Sequence, residues 1–131
     1  MSKITIAPDA LFEALPVPAT LVDHQGRITG INPAFLDYAR QRGRIVRLED
    51  RLGFHILDFA GKGEELHLMQ GLLQAVLGEG RESVFSWASQ RTSGGRRIYV
   101  NVRARPLRDP EGHIAGALIM REDTTDRKSV V

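Results

Sequence analysis

Two hydrophobic rhythms divide this chain. From Val84 to Glu122 apolar and polar positions trade places every second residue, as at Ile98, Val100, Val102 and Ala104, which is the spacing of half-buried strands. Over residues 64–77 the apolar positions recur at helical spacing instead. With about 100° per residue and Leu66 at zero, Met69, Leu72, Leu73, Val76 and Leu77 fall in an arc from roughly 240° to 20°. His67, Gln70 and Gln74 fall between roughly 40° and 100°, on the other face.

Turn and cap residues punctuate the remainder. Residues 8–15 read as a short helix, with proline at its start, acids Asp9 and Glu13, and Leu11, Phe12 and Leu15 on one side. Pro16 and Pro18 end it. Two strands, 17–23 and 27–31, flank an Asp23-His24-Gln25-Gly26 turn. Asn32-Pro33 opens a helix to about Arg40, because Asn32 can cap free amides and Pro33 sits where a missing N–H costs nothing. Phe35, Leu36 and Ala39 should face inward. Residues 41–52 are irregular and charged, 53–59 form one helical turn, and Gly78 and Gly80 stop the long helix. Strands at 84–91, 97–107 and 114–122 are separated by Ser93-Gly94-Gly95 and Asp109-Pro110-Glu111-Gly112 turns. Two hairpins separated by helices cannot build an alternating parallel sheet. The predicted fold is therefore α+β: a five-stranded antiparallel sheet with helices packed on one face and an N-terminal flanking helix.

Composition narrows the chemistry. A chain of 131 residues suits one domain, and 42% hydrophobic with 26% charged residues is the balance of a soluble globular protein. No apolar run approaches a membrane span and the N-terminus lacks a signal-peptide core, so a cytoplasmic domain without membrane contact is expected, although a larger parent protein could be anchored. The absence of cysteine removes disulfides, thiolate nucleophiles and cysteine-ligated metal. A net charge of +2, with the arginines of 91–108 alternating as on a strand's solvent face, argues against nucleic-acid binding. No nucleophile motif, Walker loop or Gly-x-Gly-x-x-Gly occurs. Asp58, Glu64 and Glu65 cluster where a helix N-terminus favours acids in any case.

The order and spacing of several local features resemble the PAS sensor-domain family over residues 11–128. They are Val22-Asp23-His24-Gln25-Gly26-Arg27-Ile28, Asn32-Pro33-Ala34-Phe35, Gly94-Gly95, Pro106-Leu107 with Asp109-Pro110-Glu111-Gly112, Gly116, and the closing Asp123-Thr124-Thr125. The resemblance implies a flanking helix at 1–16, a sensor core at 17–123 and the start of a linker to an output domain at 124–131. It implies a non-catalytic signalling module, commonly homodimeric and covalently joined to a histidine kinase, cyclase or transcription regulator. It also implies a cavity between sheet and helices that holds a cofactor, a small molecule or side chains alone. Asp123, Thr124 and Thr125 would relay the signal from the last strand, and the bacterial two-component regulators supply the expected setting.

Periodicity nominates Ile31, Phe35, Ile56, Met69, Leu73, Val100 and Leu118 for the pocket. They are apolar, so a hydrophobic organic ligand is expected ahead of a charged metabolite. The strand at 84–91 has two readings. A two-residue hairpin loop would put Phe85 and Trp87 on the cavity side with Val100 and Val102. An odd loop, which alignment to the family suggests, would turn Ser86, Ala88 and Gln90 inward, leaving Phe85, Trp87 and Tyr99 as an outer aromatic patch for dimerisation with Leu11, Phe12 and Leu15. The second reading sets the expectation. Haem ligation through a histidine on the long helix would fall to His67, whose angle points away from the apolar face, while His55 should be buried beside Phe54 and Phe59. His24 and His113 lie in turns without a metal-ligand partner at useful spacing. Blue-light flavin chemistry lacks its cysteine; other flavin binding, and a small cone-shaped α+β isomerase-like enzyme, are the alternatives.

Overall fold

The computed structural model describes residues 7–93 and 96–124, with the backbone alone for 89–93, 96 and 97. Helix α1 (Pro8–Ala14) leads to the hairpin β1 (Ala19–Asp23) and β2 (Ile28–Ile31), then α2 (Pro33–Gln41). Two 3-10 turns, Leu48–Asp50 and Ile56–Phe59, precede α3 (Glu64–Leu73). Three long strands complete the fold: β3 (Ser83–Ser93), β4 (Arg96–Arg108) and β5 (Ile114–Asp123). They form one five-stranded antiparallel sheet, as the sequence predicts, and the structure sets its order as β2-β1-β5-β4-β3. Its inner face and the helices enclose a core of Val22, Ile28, Ile31, Ile56, Met69, Leu72, Leu73, Val76, Val102 and Ile119.

The helical wheel of 64–77 holds: Met69, Leu72, Leu73 and Val76 are buried, whereas His67, Gln70 and Gln74 are exposed. Its end differs from the expected continuous α-helix. Residues Gln74–Gly78 widen into a π turn, with the Glu79 amide donating to the Gln74 carbonyl at 3.1 Å. Gly80 then leaves with φ of 68°, a left-handed conformation open to glycine.

Asn32 joins the N-terminal segment to the sheet and to α2. Fully buried, its Oδ1 accepts from the amides of Ala19 at 2.9 Å and Phe35 at 3.0 Å, and its Nδ2 donates to the Val17 carbonyl at 2.9 Å. It thus caps α2, as the Asn-Pro pair predicts, and also fixes the start of β1. Phe12 of α1 reaches the outer face, 3.3 Å from where a Cβ would stand on Gly30. Gly116 is needed for close approach, since a Cβ there would lie 2.1 Å from the Val22 carbonyl oxygen across the β1–β5 ladder.

Two variants test these restraints by chemical denaturation. Asn32→Ala strands the buried Ala19 amide, removes the donor to the Val17 carbonyl and takes one of two acceptors from the Phe35 amide, and should cost about 3 kcal/mol. Gly116→Ala should cost at least about 2 kcal/mol by forcing β1 from β5. A loss under about 1 kcal/mol in either would contradict the assigned restraint.

Candidate functional site

Strand register decides which side chains reach the space between sheet and helices. On β3 and β4, Phe85 pairs with Val102 and Trp87 with Val100, while Ser86 pairs with Asn101 and Ala88 with Tyr99. Val100 and Val102 are buried, so Phe85 and Trp87 face inward beside them. The facing is that of the two-residue reading: Ser93 pairs with Arg96, and the register shift between Ala88 and Thr92 keeps Phe85 and Trp87 on the side of Val100 and Val102. Ser86 and Ala88 belong to the outer face, where Ser86 Oγ lies 2.5 Å from Asn101 Oδ1. The expected assignments of Ser86, Ala88, Phe85 and Trp87 are therefore exchanged. The Gln90 side chain lies outside the described residues.

The same alternation corrects β5. Val22 faces Ala117 and Thr20 faces Ile119 on the buried side, so Leu118, paired with Leu21 and Arg105, points outward. Continuing in phase, Arg121 opposes Val102 and turns inward with Ala117 and Ile119.

A cavity of about 620 Å³ results. Ile31, Phe35, Ile56 and Val100 line it, joined by Phe59, Phe85, Trp87 and Ile98. Met69 and Leu73 pack in the core instead of lining it; Leu73 borders a shallow separate pocket with His24, His55 and Gln70. One side of the main cavity is polar: Tyr38, Arg42, Arg44, Arg51, Lys62 and Arg121, with Asp58 and Glu65.

The cations there differ in how they are satisfied. Arg42, at the C-cap of α2, pairs with Asp123 at 2.6 Å and lies 3.7 Å above the Tyr38 ring. The Arg51 guanidinium stacks 4.1 Å over Phe59. Withdrawal from water lowers its pKa, and repulsion from Arg44 and Arg121 adds to the effect. Withdrawal from water also depresses Arg121; Tyr38 and Glu65 oppose this, whereas Arg44 and Arg42 reinforce it. Neither Arg51 nor Arg121 has a side-chain hydrogen bond or ion pair among the described residues. Burial raises the Tyr38 phenol above its ordinary value, although nearby Arg42 and Arg121 pull the other way.

At the exit, Asp123 is tied to α2 through Arg42, and the Thr124 amide donates to the Tyr99 carbonyl at 3.0 Å. Thr124 Oγ1 is buried without a hydrogen-bond partner among the described residues. Thr125 lies outside them. Leu11 is 55% exposed, Phe12 and Leu15 are half-buried, and Tyr99 is half-buried on the outer face.

The histidines have plain roles. His67 is exposed on α3. His55 Nδ1 accepts from the Leu57 amide at 3.1 Å, capping a 3-10 turn, and Phe54 beside it is exposed instead of buried. His113 differs from expectation, since the β4–β5 turn brings it within ligand reach of Asp109 and Glu111. That group is a surface turn in which Asp109 Oδ1 already accepts from the Glu111 and His113 amides.

The profile of the PAS fold family matches residues 12–129. The chain belongs to that family, a class of sensory domains. Solved structures agree in fold. The PAS domain of Bordetella pertussis BvgS is 24% identical with a TM-score of 0.69, over 92% of this chain and 85% of that one. A sensory box sensor histidine kinase from Vibrio cholerae is 19% identical with a TM-score of 0.63, over 89% and 88%. Vibrio cholera VqmA, in a ligand–DNA complex, is 21% identical with a TM-score of 0.67, over 95% of this chain but 53% of its own. No curated protein sequence matches the chain. The isomerase-like alternative falls with the family match.

The Tyr38 phenol supplies a pH signature. Because its folded pKa is raised, its contribution to stability is complete below the unfolded value near about 10 and is lost as pH rises through the folded pKa. Denaturation midpoints of the native chain should fall more steeply above about pH 10 than those of Tyr38→Phe. Parallel curves would remove Tyr38 from the buried wall.

Proposed function

We propose that this PAS domain senses a small organic molecule in its central cavity and passes the bound state to a covalently attached output domain. The observation that carries this reading is the continuity of β5. One strand lines the cavity through Arg121 and, two residues later, holds α2 through Asp123 and Arg42. A ligand that separates α2 from the sheet would strain that ion pair, so two packings differ in how the chain leaves Thr124. The output is a histidine kinase, cyclase or transcription regulator; the sensor histidine kinase and the ligand–DNA complex among similar structures support this class of partner. Haem gains no support from an exposed His67.

In this reading the domain is cytoplasmic and itself touches neither nucleic acid nor membrane; among the described residues no helix is long and apolar enough to cross a bilayer. PAS domains are generally sensors and not enzymes, and no catalytic step is assigned. The homodimer is proposed through α1, where Leu11 stands exposed, and Phe85 and Trp87 play no part in it.

Trp87 is the sole tryptophan and lines the cavity, so its emission reports occupancy directly. Native mass spectrometry of the purified chain should show a bound organic molecule, and its removal should shift Trp87 emission. Val100→Phe, which fills the cavity, should abolish both signals while the circular dichroism spectrum persists. An unchanged bound mass in that variant would place the ligand elsewhere. In the full-length protein, Asp123→Ala should leave ligand binding intact and uncouple the output; a normally regulated output would remove β5 as the route.

A further inference from the structure

The cavity wall is not uniformly apolar, and its cations, Arg42, Arg44, Arg51, Lys62 and Arg121, outnumber its acids, Asp58 and Glu65. Arg42 is satisfied by Asp123, but Arg44, Arg51 and Arg121 have no ion pair among the described residues. Of the two acids in the lining, Asp58 is exposed and Glu65 accepts from the Gly61 amide at 3.1 Å. Arg121 comes from β5, the central strand of the sheet, in phase with Ala117 and Ile119 on the face where a strand ordinarily supplies an apolar side chain. A guanidinium held there without a hydrogen bond or ion pair is costly; Glu65 offsets part of that cost and the like charges of Arg44 and Arg42 add to it. A fixed, planar fork suits carboxylate and phosphate groups, which would neutralise all three arginines together.

We infer that the cavity takes an organic anion, with an apolar body against Phe35, Phe85 and Trp87 and a carboxylate or phosphate head on Arg121, Arg51 and Arg44. This rests on the ligand-sensing reading above and replaces the neutral hydrophobic ligand that the apolar periodicity suggests. The depressed guanidinium pKa values of Arg51 and Arg121 accord with the same crowding. Binding also touches the relay, because Arg121 lies two residues before Asp123 on one strand face.

The test uses matched probes on the full chain, read by calorimetry and Trp87 emission. 1-Naphthylacetate and 1-naphthyl phosphate should each bind at least roughly tenfold tighter than neutral 1-naphthylacetamide, and the stronger of the two names the head group. In Arg121→Gln the preference should collapse toward unity while amide binding persists, and the ligand-free variant should melt no lower than the native chain. Arg121→Lys, which keeps the charge but loses the fork, should retain part of the preference. Equal affinity of the native chain for acid and amide would overturn the anion assignment and leave the sensor reading intact. So would an undiminished preference in Arg121→Gln, or a lower melting temperature revealing a structural arginine. If no probe binds, a neutral molecule found by native mass spectrometry removes only the anion; an empty cavity removes both readings.

Discussion

Everything at the site depends on the alternation of β5 between its two hydrogen-bonded neighbours. Successive side chains of a strand leave opposite faces, and β1 and β4 lock the register from both edges. Ala117 and Ile119 therefore seal the core, Arg121 enters the cavity and Asp123 meets α2. A slip of one residue would replace that series with Leu118 and Met120 and carry both charges to the far side. Gly116 secures the register at the other end, where only a missing Cβ lets β1 come close.

The helices are placed by a different device. Asn32 links three segments through one buried amide, so the entry of β1, the cap of α2 and the exit of the α1 linker are positioned together. Such a fully satisfied polar group costs little while intact and much when broken, which favours one arrangement over many. It leaves α2 anchored at its N-terminus, while at its C-terminus the partly exposed Arg42–Asp123 pair joins it to β5. A pair of that kind is worth about 0–1 kcal/mol, small enough for a ligand to overcome.

The charged wall is a local violation of a sequence otherwise consistent with its fold. Core positions favour apolar residues, whereas burial of Arg51 and Arg121 disfavours their charged forms and lowers their pKa values. Binding sites commonly carry such a cost, because groups held ready for a ligand are poorly satisfied without one. Arg51 recovers part of it by stacking on Phe59, Arg42 by its ion pair, and Arg121 only by attraction to Tyr38 and Glu65, without a direct hydrogen bond or ion pair among the described residues.

Local signals in the sequence determined the element order, the antiparallel sheet, the buried face of residues 64–77 and the capping role of Asn32. Each rests on periodicity or on proline, glycine and asparagine chemistry that acts within a few residues. The cavity side of β3 and β5 was decided only by tertiary structure, because both phases of these strands carry apolar or small residues. Ala117 and Ile119 alternate with Leu118 and Met120, and Phe85 and Trp87 alternate with Ser86 and Ala88. Pattern alone cannot choose between two plausible faces; cross-strand pairing can. Arg121 was hidden for the same reason, since a charged residue near a strand's end reads as solvated until its neighbours show that it points inward.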